Sequence, residues 1–383
     1  MKTIPTYTFD HDLPPASRWD ALPQRLRDAG RLLAGRAFKE LTSASPLASS
    51  GVALLRLATK WRNPYRDEIT GATRVLGIST DQAMATNFLY ELGALGMYGQ
   101  TLWGRLSARF RPWMRACTSG AVCGARLGMV HVRSLDWPLR GLGRHTLVIH
   151  HINVPAGDFY SVGWPGYSGV LSGFKPGKFS ASINQAFCLQ TPNLNWPPAH
   201  LLRTAFEECA SCADALYMLR NTPVSVPAFV LLAGPGKAAV LELTPEGSRV
   251  HPMSGGRPIA IANDYLSGRW RKEMAVADDE EFDYLVGDTG TSRADEPAAE
   301  PDNRRNTLLC RLRDMKPRNM GHALRILQAW PMQHEDTMQQ MVFTHREPGM
   351  IVVGREADDA VCRFEVDAEA LSTLQHDLKE DAQ

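Results

Sequence analysis

Three residues in the middle of this 383-residue chain constrain its fold more than any others: Cys117, Arg133 and Asp136. If the backbone is cut just before Cys117, that residue carries both a thiol and a free α-amine, and the nucleophile then has its own base. The amine titrates near ~7.7–8.0 when unperturbed, so it can accept the thiol proton and later deliver it to a leaving amine. Cleavage between Ala116 and Cys117 would therefore place the cysteine at the start of a catalytic chain.

Each part of this trio also has an ordinary structural explanation. A free cysteine is usually a buried, unreactive residue. An Arg–Asp pair three residues apart on a strand is usually a surface ion pair, worth ~0–1 kcal/mol. The catalytic interpretation therefore depends on whether the rest of the chain supports it.

Six sequence blocks support it by carrying a family resemblance. In chain order they are residues 10–15 (DHDLPP), 87–92 (NFLYEL), 117–138 (CTSGAVCGARLGMVHVRSLDWP), 166–187 (GYSGVLSGFKPGKFSASINQAF), 261–265 (IANDY) and 302–305 (DNRR). They resemble the acid ceramidase and N-acylethanolamine acid amidase family, N-terminal cysteine hydrolases related to choloylglycine hydrolase. The chain departs from that pattern at Gln185, where the family generally has Glu, and in its longer segment between Asn263 and Arg304.

The resemblance implies a fold class and a division of the chain. The fold is α+β, the four-layer αββα sandwich of N-terminal nucleophile hydrolases, with a mostly helical N-terminal pro-segment. Residues 1–116 are that pro-segment, and self-cleavage separates it from the catalytic chain 117–383, leaving the two packed as an α/β heterodimer. The residue patterns alone indicate only mixed α and β, with helical periodicity before Cys117 and short runs rich in branched residues after it.

Some local predictions concern single elements. We expect one helix over residues 199–220, a helix capped by Ser17, and Cys123 in the core. Residues 278–302 contain ten acidic residues and one arginine, which predicts an irregular acidic loop.

The resemblance also implies roles for individual polar residues. Asp136 accepts hydrogen bonds at the amine and thiol of Cys117, and Arg133 holds that geometry. Asn263 is a candidate donor to the oxyanion, and Arg304 is a candidate anchor of the polar network. The alternatives are a turn or cap role for Asn263 and a surface position for Arg304.

The substrate pocket has its own candidates. Asn184 ends a β-like run and is expected to line the pocket, unless it is simply a strand-end asparagine. The expected apolar walls are Trp164, Tyr167 and Phe174. No metal or other cofactor is expected: residues 209 and 212 have the spacing C-x-x-C, but no second Cys or His pair at ligand spacing accompanies them.

Charge and cysteine content bound the partners and the compartment. The net charge is only +1, so nucleic acid is not an expected partner. None of the seven cysteines precedes Cys117, so no disulfide can link the two fragments. The N-terminal residues lack the apolar region of a secretory signal, which predicts a cytoplasmic location. A signal removed from the natural chain would instead fit a lysosomal or secreted protein.

A basic segment lies immediately before the predicted cleavage site, and it is a candidate for contact with a membrane surface. Residues 105–115 contain four arginines interleaved with Leu, Phe, Trp and Met. This pattern is typical of a helix with a solvated basic face, and it also fits peripheral contact with an anionic membrane surface.

These observations predict an autoprocessed N-terminal cysteine amidohydrolase. It cleaves a linear amide through a thioester on Cys117, and its substrate is an N-acyl lipid amide of the ceramide or N-acylethanolamine type. Within the same superfamily, an acyltransferase and a bile-salt or penicillin amide hydrolase stay open as alternatives. A catalytically silent lipid-binding relative is the alternative from another class.

Overall fold

The computed structural model describes residues 1–44, 63–88, 90–91, 117–124, 126–137, 139–186, 193–268, 270, 301–357 and 359–371. Outside these ranges lie Ala116, on one side of the predicted cleavage site, the basic segment 105–115, and nearly all of the predicted acidic loop.

The described part of the chain forms strands and helices in alternating groups. The strands are β1 (Lys2–Thr3), β2 (Thr6–Asp10), β3 (Thr118–Gly124), β4 (Gly128–Asp136), β5 (Leu147–Ile152), β6 (Phe159–Gly163), β7 (Ser172–Lys175), β8 (Phe179–Gln185), β9 (Ala228–Gly234), β10 (Lys237–Thr244), β11 (Gly247–Pro252), β12 (Ile259–Ile261), β13 (Thr337–Thr344), β14 (Gly349–Glu356) and β15 (Asp359–Val366). The α-helices are α1 (Gln24–Ala44), α2 (Arg66–Leu76), α3 (Thr80–Asn87), α4 (Pro198–Glu208), α5 (Cys212–Asn221), α6 (Pro301–Met315) and α7 (Met320–Leu327), and a 3-10 turn spans Pro15–Ser17.

The strands form two sheets. The first has seven strands in the order β1-β15-β14-β13-β4-β3-β12, and the second has eight in the order β11-β10-β9-β8-β7-β6-β5-β2. β3 and β4 are antiparallel neighbours, with Ser119 opposite Arg133.

Helices cover the outer face of each sheet, and the sheets pack on one another through their inner faces. Strand β13 shows both environments, because all eight of its residues are buried. Met341 belongs to a core cluster between the sheets that includes Phe174, whereas Val342 packs with Leu324 of α7 on the outer side. A strand covered on both faces loses polar alternation, as here. Helices α4 and α5 pack in the same way on the second sheet, and the expected four-layer αββα sandwich is confirmed.

The segment before Cys117 contributes directly to this sandwich. β1 pairs in parallel with β15 at the edge of the first sheet, and β2 pairs in parallel with β5 at the edge of the second. The buried side chain of Asn87 donates from Nδ2 to the Gly166 carbonyl and accepts from the Ser168 amide. Two of the six sequence blocks are thus in contact through Asn87, and the segment is part of the common core.

A buried ion pair also joins the two parts of the chain. Glu68, on α2, accepts two hydrogen bonds from Arg203 on α4, at 2.5 Å and 2.7 Å. Arg203 also donates to Glu207 and to the Ser168 carbonyl. A buried guanidinium needs this number of acceptors, because each unsatisfied donor in an apolar interior is costly.

Several local predictions are wrong. Residues 199–220 form two helices, because Ser211 caps α5 in a capping box with Asp214 and ends the continuous helical pattern. Ser17 lies inside the 3-10 turn, and α1 begins at Gln24. Cys123 is exposed near the end of β3 and is not a core residue. Three strands of the second sheet, β6, β7 and β11, were not predicted.

We predict that Glu68→Gln lowers the free energy of unfolding by about 3–5 kcal/mol, because it leaves Arg203 buried without its bidentate carboxylate. Urea unfolding followed by circular dichroism measures this loss. Asp20→Asn is the matched control, since Asp20 pairs with Arg74 at 2.6 Å but both side chains are about half exposed, and its loss should stay below about 1 kcal/mol. Equal losses in the two variants would contradict the buried-pair argument.

Candidate active site

Cys117 is buried and immediately precedes β3, the second strand from the edge of the first sheet. Alternate residues of a strand share a face, so Cys117 lies on the face that carries Ser119 and, on β4, Arg133. This face points towards β8 of the second sheet, where the side chain of Asn184 meets that of Ser119. The sulfur is therefore held between the two sheets.

Arg133 is fully buried and directly contacts the sulfur. Its NH2 lies 3.5 Å from the Sγ of Cys117, while its NH1 donates to the Oδ1 of Asn184 at 2.7 Å and to the Oγ of Ser119 at 3.2 Å. The predicted proximity of Arg133 to Cys117 is thus observed.

Asp136 is buried at the end of β4 and forms a second polar group with residues from two other elements. Its Oδ1 accepts a hydrogen bond from Thr337 at 2.8 Å. Its Oδ2 lies 3.5 Å from NH1 of Arg304 and 3.2 Å from Nε2 of His334. Arg304 lies within helix α6, so a helix and not the acidic loop positions it.

Arg304 links Asp136 to Asn263. Its NH2 donates to the Oδ1 of Asn263 at 3.2 Å, and the Nδ2 of Asn263 donates to the Gln185 carbonyl at 2.8 Å. Burial lowers the pKa of Arg304, while the nearby Asp136 carboxylate and Cys117 act in the opposite direction. Arg304 thus interacts electrostatically with the cysteine as well as with Asp136.

Both polar side-chain atoms of Asn184 form hydrogen bonds inside the protein, four in all. Besides accepting from Arg133 and Ser119, Asn184 donates from Nδ2 to the carbonyls of Ile261 and Ala262. These bonds fix Arg133 and tie β8 to β12. A role of Asn184 in binding substrate stays a prediction.

Trp164 and Tyr167 line an apolar pocket, whereas Phe174 stacks against Phe343 between the sheets. The pocket is lined by Leu33, Ala37, Thr86, Tyr90, Trp137, Leu139, Leu142, Trp164, Pro165, Tyr167 and Leu171. Its lining therefore comes from both sides of Cys117, and Trp137 directly follows Asp136 in the chain.

Glu91 adds no charge to these surroundings at neutral pH. Burial raises its pKa to about 8, and it influences the neighbouring Tyr167, whose pKa is raised first by burial and then by Glu91. A carboxyl group that keeps its proton is compatible with an apolar pocket.

His334 and Thr337 were not identified from the sequence. Both lie at or just before the start of β13, and the register that sets Thr337 opposite Asp136 appears only once β13 is known to neighbour β4. No spacing between residues 136 and 334 signals this contact. Burial by itself would lower the pKa of His334, but the Asp136 carboxylate outweighs burial and the pKa is raised.

The described residues contain neither a metal-ion cluster nor a membrane-spanning helix. Among the described residues, no group of three or more His, Cys, Asp or Glu side chains is arranged to hold a metal ion. Within the same ranges, every helix is too short or too polar to cross a bilayer.

Comparison with known proteins identifies relatives. No family model matches the chain. The chain is 25% identical to acid ceramidase of Heterocephalus glaber over 314 residues, which is 72% of each protein. It is 23% identical to acid ceramidase of Homo sapiens over 261 residues, or 60% of each. The chain is thus similar to acid ceramidases over three-fifths or more of its length. The resemblance carried by the six blocks is thereby confirmed, and these matches span three-fifths to nearly three-quarters of the curated relatives.

Solved structures are more distant. An N-acylethanolamine-hydrolyzing acid amidase orthologue of Caenorhabditis elegans aligns at a TM-score of 0.44 and 18% identity, covering 60% of this chain and 93% of the other. A mutant conjugated bile acid hydrolase of Clostridium perfringens aligns at 0.43 and 11% identity, covering 66% and 92%. The curated relatives are acid ceramidases, which hydrolyse an amide bond, so the enzyme class expected from the motifs is confirmed.

The contact between His334 and Asp136 predicts a specific pH dependence. Because the folded-state pKa of His334 is raised above 6.5, its stabilising contribution is fully present below pH 6.5 and is lost as the pH rises through the folded-state value. The difference in melting temperature between wild type and His334→Gln should therefore be largest at acidic pH and shrink towards alkaline pH. His322→Gln, at the start of α7, is the control. A difference that grows as the pH rises would contradict the assignment.

Proposed function

We propose that this protein is an autoprocessed N-terminal cysteine amidohydrolase that cleaves an N-acyl lipid amide through a thioester on Cys117. The single observation that carries the proposal is the contact of Arg133 with the Sγ of Cys117, the residue immediately before the largely buried strand β3. The adjoining group of Asp136, Arg304 and Asn263 supplies the other polar functions that such chemistry needs.

Self-processing would begin with the thiol of Cys117 in its own precursor. The sulfur attacks the carbonyl carbon of residue 116, the C–N bond breaks, and the nitrogen leaves as the α-amine of Cys117 after taking up a proton. Water then hydrolyses the thioester, which releases the carboxylate of residue 116 and restores the thiol. The products are a segment 1–116 and a chain that begins with Cys117.

Catalysis on a substrate repeats these steps with an external amide. The α-amine accepts the thiol proton, the sulfur adds to the substrate carbonyl, and the amine product leaves with that proton. The amide nitrogen of Asn263 carries two hydrogens and donates one to Gln185, so the other is left for the oxyanion. A donor of this kind contributes about 2.7–4 kcal/mol to transition-state stabilisation in known cases. Water then hydrolyses the thioester.

Arg133, Asp136 and Arg304 position these groups in our proposal. Arg133 holds the sulfur against β4, and Asp136 is placed to accept hydrogen bonds from the new α-amine. Arg304 holds Asp136 and Asn263 in one arrangement through two hydrogen bonds. The two guanidinium groups favour the negative charge that develops on the carbonyl oxygen during the attack.

The substrate class rests on the apolar pocket and on the relatives. The pocket lining is almost entirely apolar, and such a surface binds an alkyl chain because burial is worth ~0.8 kcal/mol per CH₂ group. The curated relatives are acid ceramidases. We therefore assign the pocket to the acyl part of the substrate. Peripheral membrane contact through residues 105–115 and a cytoplasmic location stay predictions.

We predict that Cys117→Ala yields a full-length chain without amidase activity, because the variant has neither the internal nor the external nucleophile. Intact-mass measurement detects processing, and a panel of N-acyl amides with chains of different length detects activity. Cys123→Ala is the matched control, since Cys123 lies on the same strand and is exposed; it should process and turn over like the wild type. A processed, active Cys117→Ala protein would overturn the proposal.

The two fragments should stay together after cleavage. The pro-segment supplies strands to both sheets and the buried Glu68 that pairs with Arg203, and the release of these groups would expose core and an unpaired charge. Size-exclusion chromatography of processed protein should give one peak containing both fragments, which separate only in denaturant. Elution of an active 117–383 chain alone would contradict the heterodimer.

A further inference from the structure

A continuous chain of buried hydrogen bonds runs between the two sheets and ends at the Arg133–Cys117 contact. The Nε2 of His345 lies 3.0 Å from the Oγ of Ser180, which lies 2.9 Å from Nδ1 of His131. The Nε2 of His131 lies 3.0 Å from the Oγ of Ser182. The chain then continues from Ser182 to Ser119 at 3.0 Å, and from Ser119 to Oδ1 of Asn184 at 2.7 Å.

The direction of every bond in this chain follows from its end at Asn184. The Nδ2 of Asn184 donates to two backbone carbonyls, so its Oδ1 faces Arg133 and Ser119 and can only accept. Ser119 has one hydroxyl hydrogen and must give it to Asn184. The hydroxyl of Ser119 must then accept a hydrogen bond from Ser182, and this bond uses the single hydroxyl hydrogen of Ser182.

The tautomers of both histidines follow from the same argument. Since Ser182 donates to Ser119, it must accept from a hydrogen on Nε2 of His131. Burial holds the pKa of His131 well below its usual value and lowers that of His345 to about 4, so both rings are neutral. The bare Nδ1 of His131 accepts from Ser180, and Ser180 accepts from the Nε2 hydrogen of His345.

We propose that His131 is a positioning residue for the amidase reaction, which orients the hydroxyls of Ser182 and Ser119 and thereby holds Arg133 against Cys117. This inference rests on the proposed function, because the effect on catalysis requires Cys117 to be the nucleophile. His131 lies on the same face of β4 as Arg133, two residues before it, so the pleat of one strand sets both side chains towards β8.

This chain of hydrogen bonds orients the side chains that hold Arg133 and does not carry protons to the sulfur of Cys117. A relay needs each member to accept a proton on one side and release one on the other, and the hydroxyls and imidazoles meet this condition. The amide oxygen of Asn184 does not, because it accepts two hydrogen bonds and has no hydrogen to pass on. The chain of hydrogen bonds therefore affects Cys117 only through the position of Arg133.

The tautomers can be measured without any enzyme activity. In ¹⁵N-labelled wild-type protein, long-range ¹H–¹⁵N spectra of the imidazole rings should show His131 and His345 neutral, each with hydrogen on Nε2 and a bare Nδ1. The variants His131→Gln and His345→Gln assign the signals. A hydrogen on Nδ1 of His131, or a charged ring, would overturn the proposed direction of the chain.

The variant Ser182→Ala tests the consequence for Cys117, since it removes one link and leaves every other group in place. The kcat for the best N-acyl amide should fall by about 10- to 100-fold with KM within about two-fold, the size expected for a displaced catalytic group. The alkylation rate of Cys117 by iodoacetamide, followed by peptide mapping, should change in the same variant. Ser172→Ala is the matched control.

Ser172 suits this control because it lies directly opposite Ser182 on the neighbouring strand β7, is equally buried, and has a hydroxyl without a partner in the described structure. Equal effects of the two substitutions on kcat and alkylation would mean that only packing matters, and the positioning role would be rejected. A wild type that cleaves no amide would reject the proposed function instead. The tautomer and alkylation measurements would then still decide whether the chain positions Arg133.

Discussion

The structure around the candidate site depends on one fully buried cation, the guanidinium of Arg133. A charge in a protein interior is tolerated only when its donors are matched by acceptors, because the penalty for removing it from water is several kcal/mol. Arg133 meets part of this requirement: its NH1 donates to Asn184 and Ser119, and its NH2 points at the Sγ of Cys117. Asn184 also donates to the carbonyls of residues 261 and 262, so the amide that accepts from Arg133 is bonded as well to the segment that leads into Asn263.

The second requirement is that the segment before Cys117 stay in place. Its strands β1 and β2 each form one edge of a sheet, β1 in the first sheet and β2 in the second. Its residues also form part of the wall of the apolar pocket. A catalytic chain without this segment would expose two sheet edges and lose one side of the pocket. Under the proposed function, cleavage therefore changes the chemistry of Cys117 while the packing is kept. The new terminus appears at a buried residue.

The sequence predicted the members of the site better than it predicted their contacts. Cys117, Arg133 and Asp136 could be singled out because they are close in sequence and because local blocks resemble a family. His334 and Thr337 could not, because they reach Asp136 through the pairing of β13 with β4, across about two hundred residues of chain. The predicted ends of helices were wrong where two local sequence signals compete. At Ser211 a capping box starts a new helix within a sequence that has a helical apolar pattern on both sides. Cys123 was expected in the core, yet it is the exposed residue of an otherwise buried strand.

The balance of charge in the site bears on how the proposed reaction would be assisted. Arg133 and Arg304 are both buried, and the directly contacting carboxylate is that of Asp136, with Asp264 acting on Arg304 from further away. The Nε atoms of both arginines lack hydrogen-bond partners in the described structure. The resting site thus has more positive charge, and more hydrogen-bond donors, than its carboxylates and acceptors match. Addition of sulfur to a carbonyl places a negative oxygen in this region, so the imbalance is relieved when the intermediate forms and restored when it collapses. A site that is better satisfied in the intermediate than at rest stabilises the transition state selectively, which is the condition for catalysis.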